Sequence, residues 1–181
     1  GSAEHVRAFK DCGLSSDNTA AGRWETNKGG EYFAAGVGGS VTGRRADLAI
    51  IDDPVKSRED ADSPTIREKQ WAWWRDDMTT RLKPNAATVL IMTRWHEMDL
   101  VGQLLQTEGD RWRQVNLPAM AEENDPLGRR EGDALWPGRW DQAALEEVRT
   151  SGAYTTYRWN AEYQGRPTPR EGNFFKYAWF G

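Results

Sequence analysis

The chain has 181 residues, which suits one domain, or one domain with a tail. It is polar, with a mean hydropathy of -0.83. Even so, ten Trp, five Tyr and five Phe supply burial units that a disordered chain lacks. A net charge of -4 argues against a passive nucleic-acid coat, which needs a broad basic face, but leaves room for a small basic patch.

No apolar run is long enough to span a bilayer, and no signal peptide is visible. Gly1-Ser2 reads as a cloning scar. Cys12 is the single cysteine, which excludes an internal disulfide and a cysteine-built zinc site and suits a reducing setting. His5 and His96 are too far apart in sequence to suggest a multi-histidine metal site.

Residues 3–31 are irregular in pattern, with a possible short helix over 4–12. Residues 31–37 read as a strand and lead into Gly36-Val37-Gly38-Gly39-Ser40-Val41-Thr42-Gly43-Arg44-Arg45, a glycine-rich loop. The run 48–51 is apolar throughout, the mark of a strand buried on both faces of a mostly parallel sheet, and Pro54 ends it. Ser63-Pro64 is a helix start, with Ser63 as cap and Pro64 in the first turn. That helix is expected to run to about residue 82. Ile66, Trp71, Trp74, Met78 and Leu82 share its apolar face, while Trp73 lies off it.

Lys83-Pro84-Asn85 should stop the helix, and 87–92 is a second buried strand. A helix over 99–106 and a third strand over 112–117 follow. Two short helices are expected at 141–150 and 153–163. The alternation points to an α/β fold: a sheet of mostly parallel strands flanked by helices, followed by an irregular helical region.

The strongest chemical signal is Asp52-Asp53 after the apolar strand. A carboxylate at the carboxyl end of a parallel strand faces the crevice where open α/β sheets bind ligands. One acid can hold Mg²⁺ through water, and its neighbour can orient or deprotonate an attacking water. The plain alternative is an ordinary polar strand end. Thr93, at the end of the next strand, can sense a phosphate or position the water, or simply be a turn residue. Arg94 can contact a phosphate or pair with a surface acid. His96-Glu97 lacks the second histidine of a zinc-protease motif. The glycine-rich loop lacks the Lys-Ser/Thr ending of a phosphate loop and reads first as a turn, with Arg44 and Arg45 as candidates for phosphate or DNA-backbone contact.

Several segments together resemble the large terminase subunit of tailed phages. They are the glycine loop through Arg44, Ala46-Asp47-Leu48-Ala49-Ile50-Ile51-Asp52-Asp53-Pro54, Arg58-Glu59-Asp60-Ala61, Ser63-Pro64 and Thr93-Arg94-Trp95-His96-Glu97-Met98-Asp99-Leu100. Leu117-Pro118-Ala119, Asp125-Pro126-Leu127-Gly128-Arg129, Leu135-Trp136-Pro137 and Tyr163-Gln164-Gly165-Arg166-Pro167 continue the match. The resemblance implies a P-loop ATPase core that drives double-stranded DNA into a procapsid, with ATP and Mg²⁺ as cofactors.

The resemblance further implies that Asp52 is the Walker B acid on Mg²⁺, Asp53 stands at the catalytic carboxylate, often Glu in relatives, and Thr93 falls in the coupling motif. Residues 3–120 would be the C-terminal part of the ATPase domain without Walker A, 121–165 linker helices, and 166–181 a bridge toward a nuclease domain. The implied partners are double-stranded DNA, the terminase small subunit, the portal protein and other large-subunit copies in the host bacterial cytoplasm, with no membrane. Two other readings stay open. One is a non-catalytic DNA- or subunit-docking module; the other is a metal-dependent nuclease using Asp47, Asp52 and Asp53.

Overall fold

The computed structural model describes residues 3–20, 22–39, 41 and 43–169. The chain forms two compact units, residues 1–44 and 45–181.

In the first unit, α1 (Ala3–Ala8) precedes β1 (Leu14–Ala20), β2 (Arg23–Thr26) and β3 (Glu31–Phe33). The three strands form an antiparallel sheet in the order β1-β2-β3. This corrects the expectation of irregular structure over 3–31. Leu-Ser-Ser-Asp-Asn-Thr-Ala in β1 carries no apolar alternation, so the strand is defined by its pairing rather than by its pattern. Trp24 lies directly opposite Tyr32, and their rings stack at 4.8 Å. Gly29 closes the β2–β3 turn at φ 80, a conformation glycine adopts without a steric penalty. The expected strand over 31–37 ends at Phe33, because a reverse turn follows. The Gly39 amide donates to the Gly36 carbonyl at 2.8 Å, with Gly38 at φ 77 between them. Ser40 and Thr42 of the glycine-rich loop lie outside the described residues.

The second unit shows the expected α/β class. β4 (Ala46–Asp52) pairs in parallel with β5 (Leu82–Ile91), so that Ile50 faces Val89 and Asp52 faces Ile91. Between them run α2 (Arg58–Asp62) and α3 (Pro64–Ala72). The Ser63 hydroxyl accepts from the Ile66 amide and Pro64 opens α3, as the sequence predicts. A π-helical turn over Trp73–Met78 and a 3-10 turn over Thr79–Arg81 continue the helix to its expected length. The π turn inserts an extra residue into the helical period, and both Trp73 and Trp74 turn inward. Trp73 is therefore a core residue, not an off-face one. With Ile51, Trp74, Leu100 and Leu104 it forms the main core.

β5 begins earlier than expected and runs through Lys83-Pro84-Asn85. Asn85, at φ 65, absorbs a bulge between the Ala46↔Leu82 and Leu48↔Ala87 pairs, which is how proline enters a strand here. The two strands are not buried on both faces. Ala49 and Ile51 pack inward, whereas Leu48, Ile50, Val89 and Ile91 are 54%, 62%, 43% and 54% exposed.

α4 (Leu100–Glu108) follows, capped by Asp99. Residues 112–117 form no ladder, which corrects the expected third strand. They line one side of an open groove of about 620 Å³, and residues 88–92 line the other. α5 (Gln142–Thr150) and α6 (Thr156–Arg158), the latter continued by a π turn over Trp159–Tyr163, come next among the described residues. α6 starts later than predicted because the Thr155 hydroxyl caps it. Leu145 and Trp159 join Met120 and Ala134 in a second core cluster.

Candidate functional site

β4 and β5 end side by side, and their carboxyl ends carry Asp52, Asp53 and Thr93. The Asp53 amide donates to the Ile91 carbonyl at 2.9 Å, one step beyond the last ladder pair. At Asp53 the backbone turns to φ 40, a left-handed conformation that Asp tolerates better than most residues. The turn brings its carboxylate across to β5, where Oδ1 accepts the Thr93 amide at 3.2 Å. Asp52 and Asp53 are both exposed. Just beyond, Pro54 and Val55 are buried, and the Gln70 side chain donates to the Pro54 carbonyl at 2.9 Å. The chain leaving the acids is thereby fixed to α3.

Arg94 is engaged. Its Nε donates to both oxygens of Asp99, at 3.0 and 2.9 Å. Asp99 is fully buried and also accepts the amides of Trp95 at 3.2 Å and Gly102 at 3.0 Å. One carboxylate thus shapes the loop behind Thr93 and caps α4. His96 accepts the Met98 amide through Nδ1 at 2.9 Å. Burial, and then the Arg67 charge, lower its pKa, so it is a neutral acceptor.

Arg44 belongs to the first unit, where it pairs with Glu31 and sits over the Phe33 ring at 4.3 Å. Asp52, Asp53, Thr93 and Arg94 are all in the second unit. Asp47 is at the opposite end of β4 from Asp52, about 16 Å away at strand rise, and its carboxylate takes Lys83 Nζ at 2.7 Å. Asp47, Asp52 and Asp53 therefore do not converge. Among the described residues there is no group of three His, Cys, Asp or Glu that could hold a metal ion. Mg²⁺ bound alongside substrate phosphates needs only one or two protein carboxylates, and the exposed strand-end pair meets that requirement.

Residues 25–181 match the protein family described as terminase large subunit, T4likevirus-type, N-terminal. The chain belongs to the terminase large-subunit family. A comparison with curated proteins found no match. Terminase large subunits are in general ATPases and nucleases of phage DNA packaging, and membership places this chain in that motor. Among the described residues no helix is long and apolar enough to cross a membrane.

Several of the segments on which the resemblance was read form scaffold contacts. Asp125 accepts the amides of Leu127 and Arg129 and the Arg129 side chain, whose Nη2 also donates to the Pro118 carbonyl while Nη1 donates to the Asp133 carbonyl. The Arg129 hydrogen bond holds the Asp125 carboxyl below its usual range. The buried Gln164 side chain bonds both the amide and the carbonyl of Met120, as a neighbouring strand would. Sequence reasoning gave Asp99 and Gln164 no role. For Asp99 a signal was present: an Asp just before an apolar helical run is a cap.

Proposed function

We propose that the second unit supplies the acidic half of the packaging ATPase site. The observation that carries this reading is the hydrogen bond from the Thr93 amide to the Asp53 carboxylate at adjoining parallel strand ends. Asp52, exposed at the last ladder position of β4, would hold Mg²⁺. Asp53 orients and deprotonates the attacking water. Its tether to Thr93 links the state of that carboxylate to the strand end that leads into the loop 93–99. Bound Mg²⁺ would neutralise charge on the triphosphate.

Arg94 is a candidate for phosphate contact, but it would have to leave or share Asp99 to make it. Arg44 and Arg45 are candidates for the DNA backbone. No stretch of the sequence matches a phosphate loop. Among the described residues the edge of β5 away from β4 pairs with no strand, and this edge and the groove beside it support a further strand, carrying that loop, seated next to Thr93.

Accordingly, purified chain is expected to hydrolyse Mg-ATP poorly or not at all. Joined to a phosphate-loop strand and helix from a related large subunit, it is expected to turn over ATP. Asp53→Ala should then lower kcat by about 10²- to 10⁴-fold, the usual contribution of a positioned base, and Asp52→Ala should raise the Mg²⁺ requirement. Unchanged kinetics in both variants overturn the assignment. Strong hydrolysis by the chain alone, abolished by Asp52→Ala, overturns its incompleteness.

The exposed apolar face formed by Leu48, Ile50, Val89 and Ile91 favours a second reading, a non-catalytic docking module. Subunit binding that survives Asp52→Ala and Asp53→Ala, in a protein that never hydrolyses ATP, would select it. The nuclease reading loses its convergent acids.

A further inference from the structure

Arg58 opens α2 and begins the Arg58-Glu59-Asp60-Ala61 stretch, to which the ATPase reading gives no task. Its side chain is only 22% exposed. Nη1 donates to the Trp95 carbonyl at 2.8 Å, and Nη2 pairs with the Glu162 carboxylate. The guanidinium lies over the Trp95 ring at 5.0 Å and the Tyr157 ring at 5.2 Å. The Tyr157 hydroxyl donates to the same Trp95 carbonyl at 3.0 Å. Glu162 also accepts from Arg158 Nε at 3.1 Å. A single planar fork therefore touches three segments far apart in sequence: α2, the loop 93–99 and the helical turn 156–163. Its two arms hold the second and third of these at once, a geometry that lysine, with one ammonium on a flexible stem, does not reproduce.

We infer that Arg58 is a positioning residue that couples the loop 93–99 to the helical turn 156–163, so that displacement of either is passed to the other. Trp95 is two residues from Thr93, so the coupling reaches the end of β5. Its meaning for hydrolysis rests on the ATPase reading given above; the coupling itself does not.

Amide hydrogen exchange on the whole chain tests this without nucleotide. Glu162→Gln weakens only the far side of the bridge. It is expected to raise exchange at 156–163 and also, by about tenfold, at the amides of Trp95, His96 and Met98, in line with the loss of one charge-assisted hydrogen bond. In an Arg58→Lys background the loop should already exchange faster, and adding Glu162→Gln should leave it unchanged. A loop that ignores Glu162→Gln, or that responds equally in both backgrounds, overturns the inference.

Should Arg58→Lys fail to fold, Tyr157→Phe replaces it. With the Trp95 carbonyl held by Arg58 alone, the loop's response to Glu162→Gln is expected to grow, and an unchanged response overturns the coupling. Failure of the chain to hydrolyse ATP would not affect either outcome, and a silent loop would leave the hydrolysis reading standing.

Discussion

The Asp53 carboxylate and the Thr93 amide meet at 3.2 Å across the ends of two parallel strands that are forty positions apart in sequence. Asp53 reaches Thr93 only because its own backbone turns to φ 40. The side chain and the strained turn therefore depend on each other, and the residue type at this position matters for folding as well as for chemistry.

Asp53→Asn should be nearly as stable as the parent protein. Asn adopts left-handed backbone readily, and its carbonyl oxygen can still accept the Thr93 amide. Asp53→Ala loses both advantages and is expected to be destabilised by about 1–2 kcal/mol. Urea denaturation followed by Trp fluorescence would check this, and equal midpoints for the two variants would sink it.

Asp99→Ala is expected to cost about 3–5 kcal/mol, the range for removing one partner of a buried ion pair. Asp99 is fully buried, and Arg94 is 13% exposed. Three amides, those of Trp95, His96 and Gly102, lose their acceptor in the same step, and the Gly102 bond is the cap of α4. Far-UV circular dichroism during thermal unfolding should show a lowered Tm, and a shift of only a degree or two would contradict the geometry.

The open sheet face predicts self-association. Ile50→Glu with Val89→Lys places opposite charges on facing positions of the parallel pair. Because both residues are largely exposed, stability should change little. Sedimentation over a range of concentrations should show less association in the double variant than in the parent. Equal association in the two would place the sticky surface elsewhere.

Glu162 and His96 are among the groups that make stability depend on pH. Burial alone would raise the Glu162 carboxyl, but the hydrogen bonds it accepts from Arg158 and Arg58 outweigh burial and hold it below the ordinary value of 4.5. Its contribution is therefore present above pH 4.5 and lost as pH falls through the lower folded value. Burial, followed by the Arg67 charge, lowers His96 below 6.5. The stability that the neutral ring carries is complete above pH 6.5 and declines as acid protonates the unfolded chain first. Glu162→Gln should flatten the lower window and His96→Gln the upper one in urea midpoints measured from pH 7.5 to 3.5.

The sequence carried its clearest information where one local rule decides the outcome. The strand before Asp52, the Ser63-Pro64 helix start and the helix expected over 141–150 all appear, although the strand is buried on one face rather than both. It was silent where long-range geometry decides. Nothing local marks β1 as a strand, because only its pairing with β2 makes it one. The turn inward of Trp73 depends on a π turn, to which helical periodicity is blind. Asp52, Asp53 and Thr93 were legible as strand-end residues, but the contact between Asp53 and Thr93 was not. Arg58 and Gln164 stood in recognisable motifs without a role, since each acts by reaching another segment.

The parallel pairing of β4 with β5 also sets an order of assembly. Ile51 faces Leu90, so each ladder contact closes a loop of about forty residues, and it forms only once that loop's entropy cost has been met. The loop between them is α2, α3 and the Trp73–Trp74 turn, local structures that can form early. Asp53 and Thr93 thus come within reach of each other late in folding. They separate early when the intervening helix melts, so this pair reports on the integrity of the whole crossover.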